Sequence, residues 1–310
     1  MSIEDEPVIH TPATVGTVDP TEGGGDVVKR GRVLRRFLSN KLAVAGLVFI
    51  ILLVLTAIFA EQIAPKDPNH QELLKKLRKP GSSGYSLGSD EFGRDVLSRL
   101  IFGSRVTVRV VVQAMSISLL IGVPLGLLAG FLGKWIDAVL NRITEAVMSV
   151  PYLILAFAVI AALGPGLGSA TFAVGLLSVP GFYRVMRAST QDVRGETYVE
   201  ASRAIGCTTW RTLLRHVLPN AIGPLVVQVA LGAGRVVTAE AALSFLGLSV
   251  KPPTASWGGM LTTAVNNMQK APFLVYYPGF LIVLTVLAFT FIGDGLRNAL
   301  GTTRAAVTEN

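Results

Sequence analysis

Charge is scarce in this chain. Asp, Glu, Lys and Arg make up 15% of its 310 residues, against about a quarter in soluble domains. With hydrophobic residues at 51% and 32 glycines besides, the mean hydropathy of +0.55 leaves too little polar cover for a water-soluble globule. A single cysteine, Cys207, excludes an intrachain disulfide. His10, His70 and His216 lie far apart and do not form a Cys/His zinc pattern. No G-x-x-x-x-G-K-[ST] phosphate loop is present; at the nearest approach, Gly133-Lys134, position 128 is Leu and position 135 is Trp. No Ser/His/Asp set or paired-carboxylate constellation stands out. Together these absences exclude a self-contained ATPase and point away from an enzyme.

What the chain has is long apolar runs. About 20 such residues cross a bilayer as a helix. Residues 42–60 and 110–133 contain no charge, and neither does 271–293. Residues 146–183 are uncharged over a length sufficient for two spans, divided by the turn-forming Gly164-Pro165-Gly166-Leu167-Gly168. Residues 221–250 are apolar except for Arg235 and Glu240. The expectation is an all-α integral membrane protein of six spans, at about 42–61, 106–132, 144–164, 168–187, 219–247 and 273–296. The first run begins only at residue 42, exceeds the roughly 7–15 apolar residues of a signal peptide and lacks a small-x-small cleavage site, so it reads as a span.

Residues 1–28 are polar, acidic and rich in Gly, Pro and Thr, a composition that reads as a disordered tail, and 301–310 reads as a second tail. Lys29, Arg30, Arg32, Arg35, Arg36 and Lys41 precede the first span, which favours a cytoplasmic N-terminus. Six spans then return the C-terminus to the same side. Loop 134–145 and a longer loop at 190–218 fall inside, and 62–104 becomes an outer loop of mixed charge. The net charge of +8 is read as cytoplasmic Lys and Arg rather than as a nucleic-acid footprint.

The loop at 190–218 is patterned. Residues 198–218 read YVEASRAIGCTTWRTLLRHVL, followed by Pro219-Asn220. Ala201, Ala204, Ile205 and Thr208 recur at helical spacing. Gly206 can bend the chain, Trp210, Leu213 and Leu214 restart an apolar face, and Pro219 suits the first turn of the next helix. Two short surface helices with a hinge between them are expected. Two readings of them stand: a helix resting on lipid headgroups, or a docking element whose small side chains admit another protein while Glu200 registers it.

Glu200-Ala201-Ser202, Gly206 and Leu218-Pro219 resemble the EAA loop of ABC-importer permeases, with Ser202 replacing the second Ala. Arg215-His216-Val217-Leu218-Pro219-Asn220 resembles the peptide-permease branch. So do LGSDEFGRDVLSR at 87–99, ALSFLGL at 242–248, Pro252-Pro253, Ser256-Trp257-Gly258 and Gly293-Asp294-Gly295-Leu296-Arg297. The chain is identified as resembling the dipeptide/oligopeptide permease family, C-type subunit, over about residues 30–300. The resemblance implies the type I importer permease fold over 29–300, in a bacterial cytoplasmic (inner) membrane. It implies as partners a homologous B-type permease subunit, two ATPase subunits docked on the coupling loop and an external peptide-binding protein. ATP and magnesium would be bound by those ATPases, with no cofactor or metal in this chain and no nucleic acid. The same machinery carrying another small solute, a nickel complex or glutathione, is the near alternative; an ATP-independent secondary transporter is the distant one.

Docking then falls to Glu200, Ala201, Ser202, Ala204, Ile205, Gly206, Leu218 and Pro219. Arg235 and Glu240 are charges at membrane depth, where such residues usually face a cavity or a neighbour. They line a pathway, pair across a subunit interface, or reach water if the span is shifted; five positions apart, they do not share a helix face well. Gly122, Gly126 and Gly130 form a stripe that lets helix backbones touch, within this subunit or across to another. Pro124 should kink that helix. Arg105 and Arg109 are expected to snorkel, Asp294 and Arg297 to pair locally, and Trp257, Tyr276 and Tyr277 to lie at the outer interface.

Overall fold

A computed structural model describes residues 25–305, with side chains described over 31–301. The chain is all-helical, and among the described residues there is no strand beyond two isolated bridges. The expected tail 1–28 lies outside the described residues as far as 24; residues 25–28 instead open helix α1, Gly25–Ser39. Of the second tail, 301–305 continue the last helix, and 306–310 lie outside the described residues.

Asn40 breaks α1 from α2, Lys41–Ile58. Its Oδ1 accepts from Leu42 N and Ala43 N at 3.1 and 3.2 Å, satisfying two of the orphan donors of a helix start. A short helix α3, Ala60–Ile63, follows. Helix α4, Val96–Leu132, is capped by Asp95 and contains Pro124. Helices α5, Lys134–Ser149, and α6, Tyr152–Leu163, meet at an angle of 95°. The expected continuous span at 144–164 is therefore two pieces. Pro151 is the reason: it lacks an N–H, its ring excludes the helical conformation of the preceding residue, and Val150 is extended at φ −93, ψ 134.

Helix α7 is Leu167–Arg194, α8 Thr197–Ala204 and α9 Thr209–Thr212. A π-turn at Leu213–Val217 joins α9 to α10, Leu218–Phe245. Helices α11, Trp257–Asn266, and α12, Phe273–Ala305, complete the fold. Among the described residues four continuous helices are long and apolar enough to cross a membrane, and the bent α5–α6 pair raises this to five. Helix α7 has spanning length, but Arg184, Arg187, Asp192 and Arg194 crowd its second half.

The core runs between α4, α7 and α10, through Val110, Ala114, Met115, Phe182, Met186 and Val236. The glycine stripe is its closest seam. A Cβ at Gly126 would stand 2.5 Å from Tyr183 O, and one at Gly130 would stand 2.7 Å from Arg187 O. The stripe therefore packs α4 on α7 within this chain. Ser118 Oγ crosses the same seam to Gly175 O at 2.7 Å.

The helices share two ends. At one end α1 and the start of α2 pack on the close of α12, through Phe37, Ala43 and Ala299, and α4 delivers Phe131 beneath Arg203 of α8. We term this the loop end. At the other, the far end, Arg105 Nε donates to Ala57 O at 2.7 Å and Nη2 donates to Ile58 O at 3.1 Å. Arg105 thus satisfies carbonyls at the close of α2 and pairs with Glu61 at 2.8 Å, rather than snorkelling to headgroups.

Candidate functional site

At the loop end, the conformation of segment 195–217 follows from one residue. Gly206 has φ +82, and nothing lies within 4 Å of the Cβ it lacks. Its N–H donates to Arg203 O at 3.0 Å, and Cys207 N donates to Ser202 O at 3.1 Å. These two bonds form a Schellman cap, which ends α8 with a residue in the left-handed region. The expected hinge is thus a capped turn. Ser202 Oγ and Thr212 Oγ1 meet at 3.0 Å in a buried bridge between α8 and α9.

The second expected helix is not separate. Through the π-turn it continues into α10 as one helix, Thr209–Phe245. Pro219 supplies a physical reason: it cannot donate to Arg215 O, and its ring crowds that carbonyl, which the wider turn accommodates. Val199, Leu213 and Val217 anchor the segment in the core. Outward lie Glu200, Ala201, Ala204, Ile205 and Gly206, with Ile205 80% exposed and Trp210 62% exposed. Ser202 is buried, Leu218 is half-buried and Pro219 is exposed.

A cavity of about 790 Å³ lies between the α5–α6 bend, the middle of α7 and α10. Val150, Pro151 and Tyr152 form one wall, Ser178 and Gly181 another, and Arg235 and Thr238 a third. Arg235 is exposed here. A Cβ at Gly181 would stand 3.0 Å from Gln228 Nε2, so this glycine leaves room for that side chain, and 3.9 Å from Arg235 Nη2, an ordinary contact. Glu240 is elsewhere. It is 2% exposed, and its Oε1 accepts from Ser244 Oγ at 2.8 Å, while Ser256 Oγ reaches Ser244 at 3.3 Å. The structure therefore separates the two intramembrane charges: Arg235 faces the cavity and Glu240 sits within the subunit, where α10 meets α11. The α5–α6 wall was not expected, since 144–164 read as one continuous span. Pro151 within an apolar stretch was the available signal.

The far end is built from segment 87–99. Asp90 Oδ2 accepts from Arg94 Nε at 2.6 Å and lies 3.5 Å from Arg99 Nε. Asp90 Oδ1 accepts from Phe92 N and Arg94 N, both at 2.9 Å. Asp95 Oδ2 accepts from Ser98 N at 2.8 Å, capping α4. Arg99 Nη1 donates to Pro68 O at 3.0 Å and to Pro253 O at 3.3 Å, tying together segments that are distant in sequence. Trp257, expected at the lipid interface, is buried instead and donates from Nε1 to Leu100 O at 3.0 Å. Tyr276 is 65% exposed. Hydrogen bonding to Lys75 and Tyr85 holds the Glu72 carboxyl down at about 2, and burial pushes the Glu91 carboxyl up. At the close of α12, Asp294 and Arg297 pair at 3.8 Å.

Several long apolar helices packed on small-residue seams define a multi-pass membrane protein. Residues 122–303, more than half the chain, match the family described as binding-protein-dependent transport system inner membrane component, and residues 30–80 match the N-terminal TM domain of oligopeptide transport permease C. The chain belongs to this family of inner-membrane transport permeases, a transport component rather than a catalytic subunit.

It is 39% identical to a dipeptide transport system permease protein of Alkalihalophilus pseudofirmus over 266 residues, covering 86% of this chain and 87% of that one. It is 42% identical to a di/tripeptide transport system permease protein of Pseudomonas aeruginosa, covering 85% and 89%. It is 38% identical to a glutathione transport system permease protein of Pectobacterium atrosepticum, covering 86% and 88%. A chain of the MetNI methionine ABC transporter in inward-facing conformations shares the fold, with a TM-score of 0.54 at 20% identity, over 67% of this chain and 95% of that one.

Proposed function

We propose that this chain is a permease subunit of an ABC importer for dipeptides or oligopeptides. The observation that carries the reading is identity of 39–42% to dipeptide and di/tripeptide permeases over some 85% of the chain. The identity of 38% to a glutathione permease supports a second reading, in which the cargo is glutathione, itself a small peptide.

In this proposal the chain crosses the membrane six times, as α2, α4, the bent α5–α6 pair, α7, α10 and α12. The loop end faces the cytoplasm. Arg32, Arg35, Arg36, Lys41, Lys134, Arg142, Arg194, Arg203, Arg211 and Arg215 gather there, as the positive-inside rule requires. Helix α8 is the coupling element. A soluble ATPase meets Glu200, Ala201, Ala204, Ile205 and Gly206, while Ser202 holds the segment from within and Leu218 and Pro219 set its junction with α10. The Schellman cap and the Ser202–Thr212 bridge let α8 move as a body with α9 and α10, so that a push on α8 reaches the cavity wall carrying Arg235. A homologous permease completes the pathway, and an external binding protein delivers cargo to the far end. ATP and magnesium are handled by the ATPase subunits.

Purification of the tagged full chain from its own membrane in mild detergent tests this. The expected result is co-purification of a second permease and ATPase subunits, with peptide uptake when the assembly is reconstituted with its binding protein. Ala201→Arg adds a long cation to an exposed position, and should leave insertion intact while removing the ATPase and the uptake. Normal ATPase recovery and uptake in that variant would sink the docking role of α8.

A further inference from the structure

Helix-breaking backbone at membrane depth is tolerated where it is buried in protein or lines an aqueous cavity. Val150 and Pro151, the break between α5 and α6, line the 790 Å³ cavity. Arg235 faces them from α10, about 15 Å along the helix from its end at Phe245. A guanidinium at that depth needs an acceptor. Among the described residues no carboxylate lies within ion-pair distance of it, and Glu240, the nearest acid along the helix, is bonded to Ser244.

The hydroxyls of the cavity do not supply one either. Ser178 Oγ donates to Val174 O at 2.8 Å and Thr238 Oγ1 to Gly234 O at 3.2 Å, each spent on its own helix. Tyr152 OH points to the same Val174 O at 3.5 Å. The walls are otherwise largely apolar, from Val147, Leu153, Leu155, Leu177 and Ala239. The cavity therefore offers one concentrated positive charge with its donors free, in a space within the range of small-molecule sites.

We propose that Arg235 is the anion-recognising residue of the transport cavity and receives the carboxylate of the cargo during its passage. This rests on the permease reading above and deepens it. A planar guanidinium takes a carboxylate through two parallel N–H donors. With no competing carboxylate among the described residues to displace, Arg235 meets a carboxylate-bearing solute without first breaking a pair there, and the apolar walls tolerate varied side chains. The cargo class is then a small solute with a free carboxylate.

The test uses the complete reconstituted assembly with its binding protein. Uptake of a dipeptide with a free C-terminal carboxylate is compared with uptake of its carboxamide, in wild type and in Arg235→Gln. The same binding protein serves both, so the ratio of ratios isolates the permease. The expected result is a loss of about tenfold or more for the free acid beyond any loss for the amide, the worth of one charge-assisted hydrogen-bonded pair. Arg235→Lys should recover part of it. Equal losses for both cargoes would overturn the proposal, as would loss of the second permease on purification of Arg235→Gln, which would assign the arginine to a subunit contact.

A second measurement is independent of delivery. In a Cys207→Ser background, Thr238→Cys in the cavity wall should react faster with an anionic methanethiosulfonate than with a cationic one, and Arg235→Gln should abolish the difference. A difference unaffected by Arg235→Gln counts against the proposal. Absence of any peptide uptake by wild type would instead sink the permease reading, whatever the labelling result.

Discussion

The two ends of the molecule use their polar residues in opposite ways. At the far end Ser89, Asp90, Arg94, Asp95, Ser98 and Arg99 are all buried, in a patterned stretch of thirteen residues, 87–99. At the loop end, of Glu200, Ala201, Ser202, Arg203, Ala204, Ile205 and Gly206, only Ser202 is buried. Both stretches look equally motif-like as sequence. The first turns its polar groups on one another and fixes three distant segments, through Pro68, Arg99 and Pro253. The second uses one serine and one glycine to set its shape and leaves the rest outward. A motif that spends its hydrogen bonds internally is scaffold; one that leaves its side chains unspent is available to a partner.

Substitutions can break that comparison, and the largest effect is expected at the far end. Asp90→Ala removes the carboxylate shared by buried Arg94 and Arg99, leaving Arg94 only Glu91 at 3.9 Å, and should cost about 3–5 kcal/mol, read as a lowered thermal midpoint in detergent. A midpoint within error of wild type would show that the far-end network is not scaffold. Gly206→Ala meets no atom, so its cost is the left-handed backbone alone, about 1–2 kcal/mol. It should appear as faster amide exchange across 197–212 with little change at the far end. Ser202→Ala removes the bridge to Thr212 and should cost about 1 kcal/mol, again local to the loop end. If it instead uncoupled ATPase turnover from uptake while the subunits stayed assembled, the bridge would be the rigid link that the proposal requires.

The smallest effect concerns pH. Glu72 in the folded chain titrates at about 2 against an ordinary 4.5, chiefly because Lys75 bonds its carboxylate at 2.5 Å. A depressed carboxyl adds stability above its unfolded value, and that stability is lost as pH falls towards the folded one. The far-end cap should therefore loosen between about pH 4.5 and 2, followed by proteolysis around 75–79. Glu72→Gln should flatten the profile. An unchanged profile would place the acid sensitivity of the cap on other groups.

Much of the fold was legible because the bilayer makes a coarse demand. Apolar runs at 42–60, 110–133 and 271–293 each became a long helix. The bend at Gly206 was legible through the backbone that only glycine adopts without penalty. Less was legible where a local rule met a tertiary one. Trp257 has the amphipathic ring of an interface residue, yet Gly103 opens a slot for it and Leu100 O takes its N–H. Arg105 has the long stem of a snorkelling residue, yet its donors are taken by the carbonyls at the end of α2.

That this chain is a helical membrane protein of a transport family could be read from its residues, because hydropathy and motif spacing are properties of the chain alone. The sequence also marked a bend at Gly206, because a glycine acts on its own backbone. It took the packing to show that the glycine stripe joins α4 to α7, that Glu240 is held inside the subunit, and that Arg235 stands in a cavity with no acid among the described residues paired to it. Each of these depends on which helix lies opposite. Helix periodicity says which residues share a face, and only packing says what that face meets.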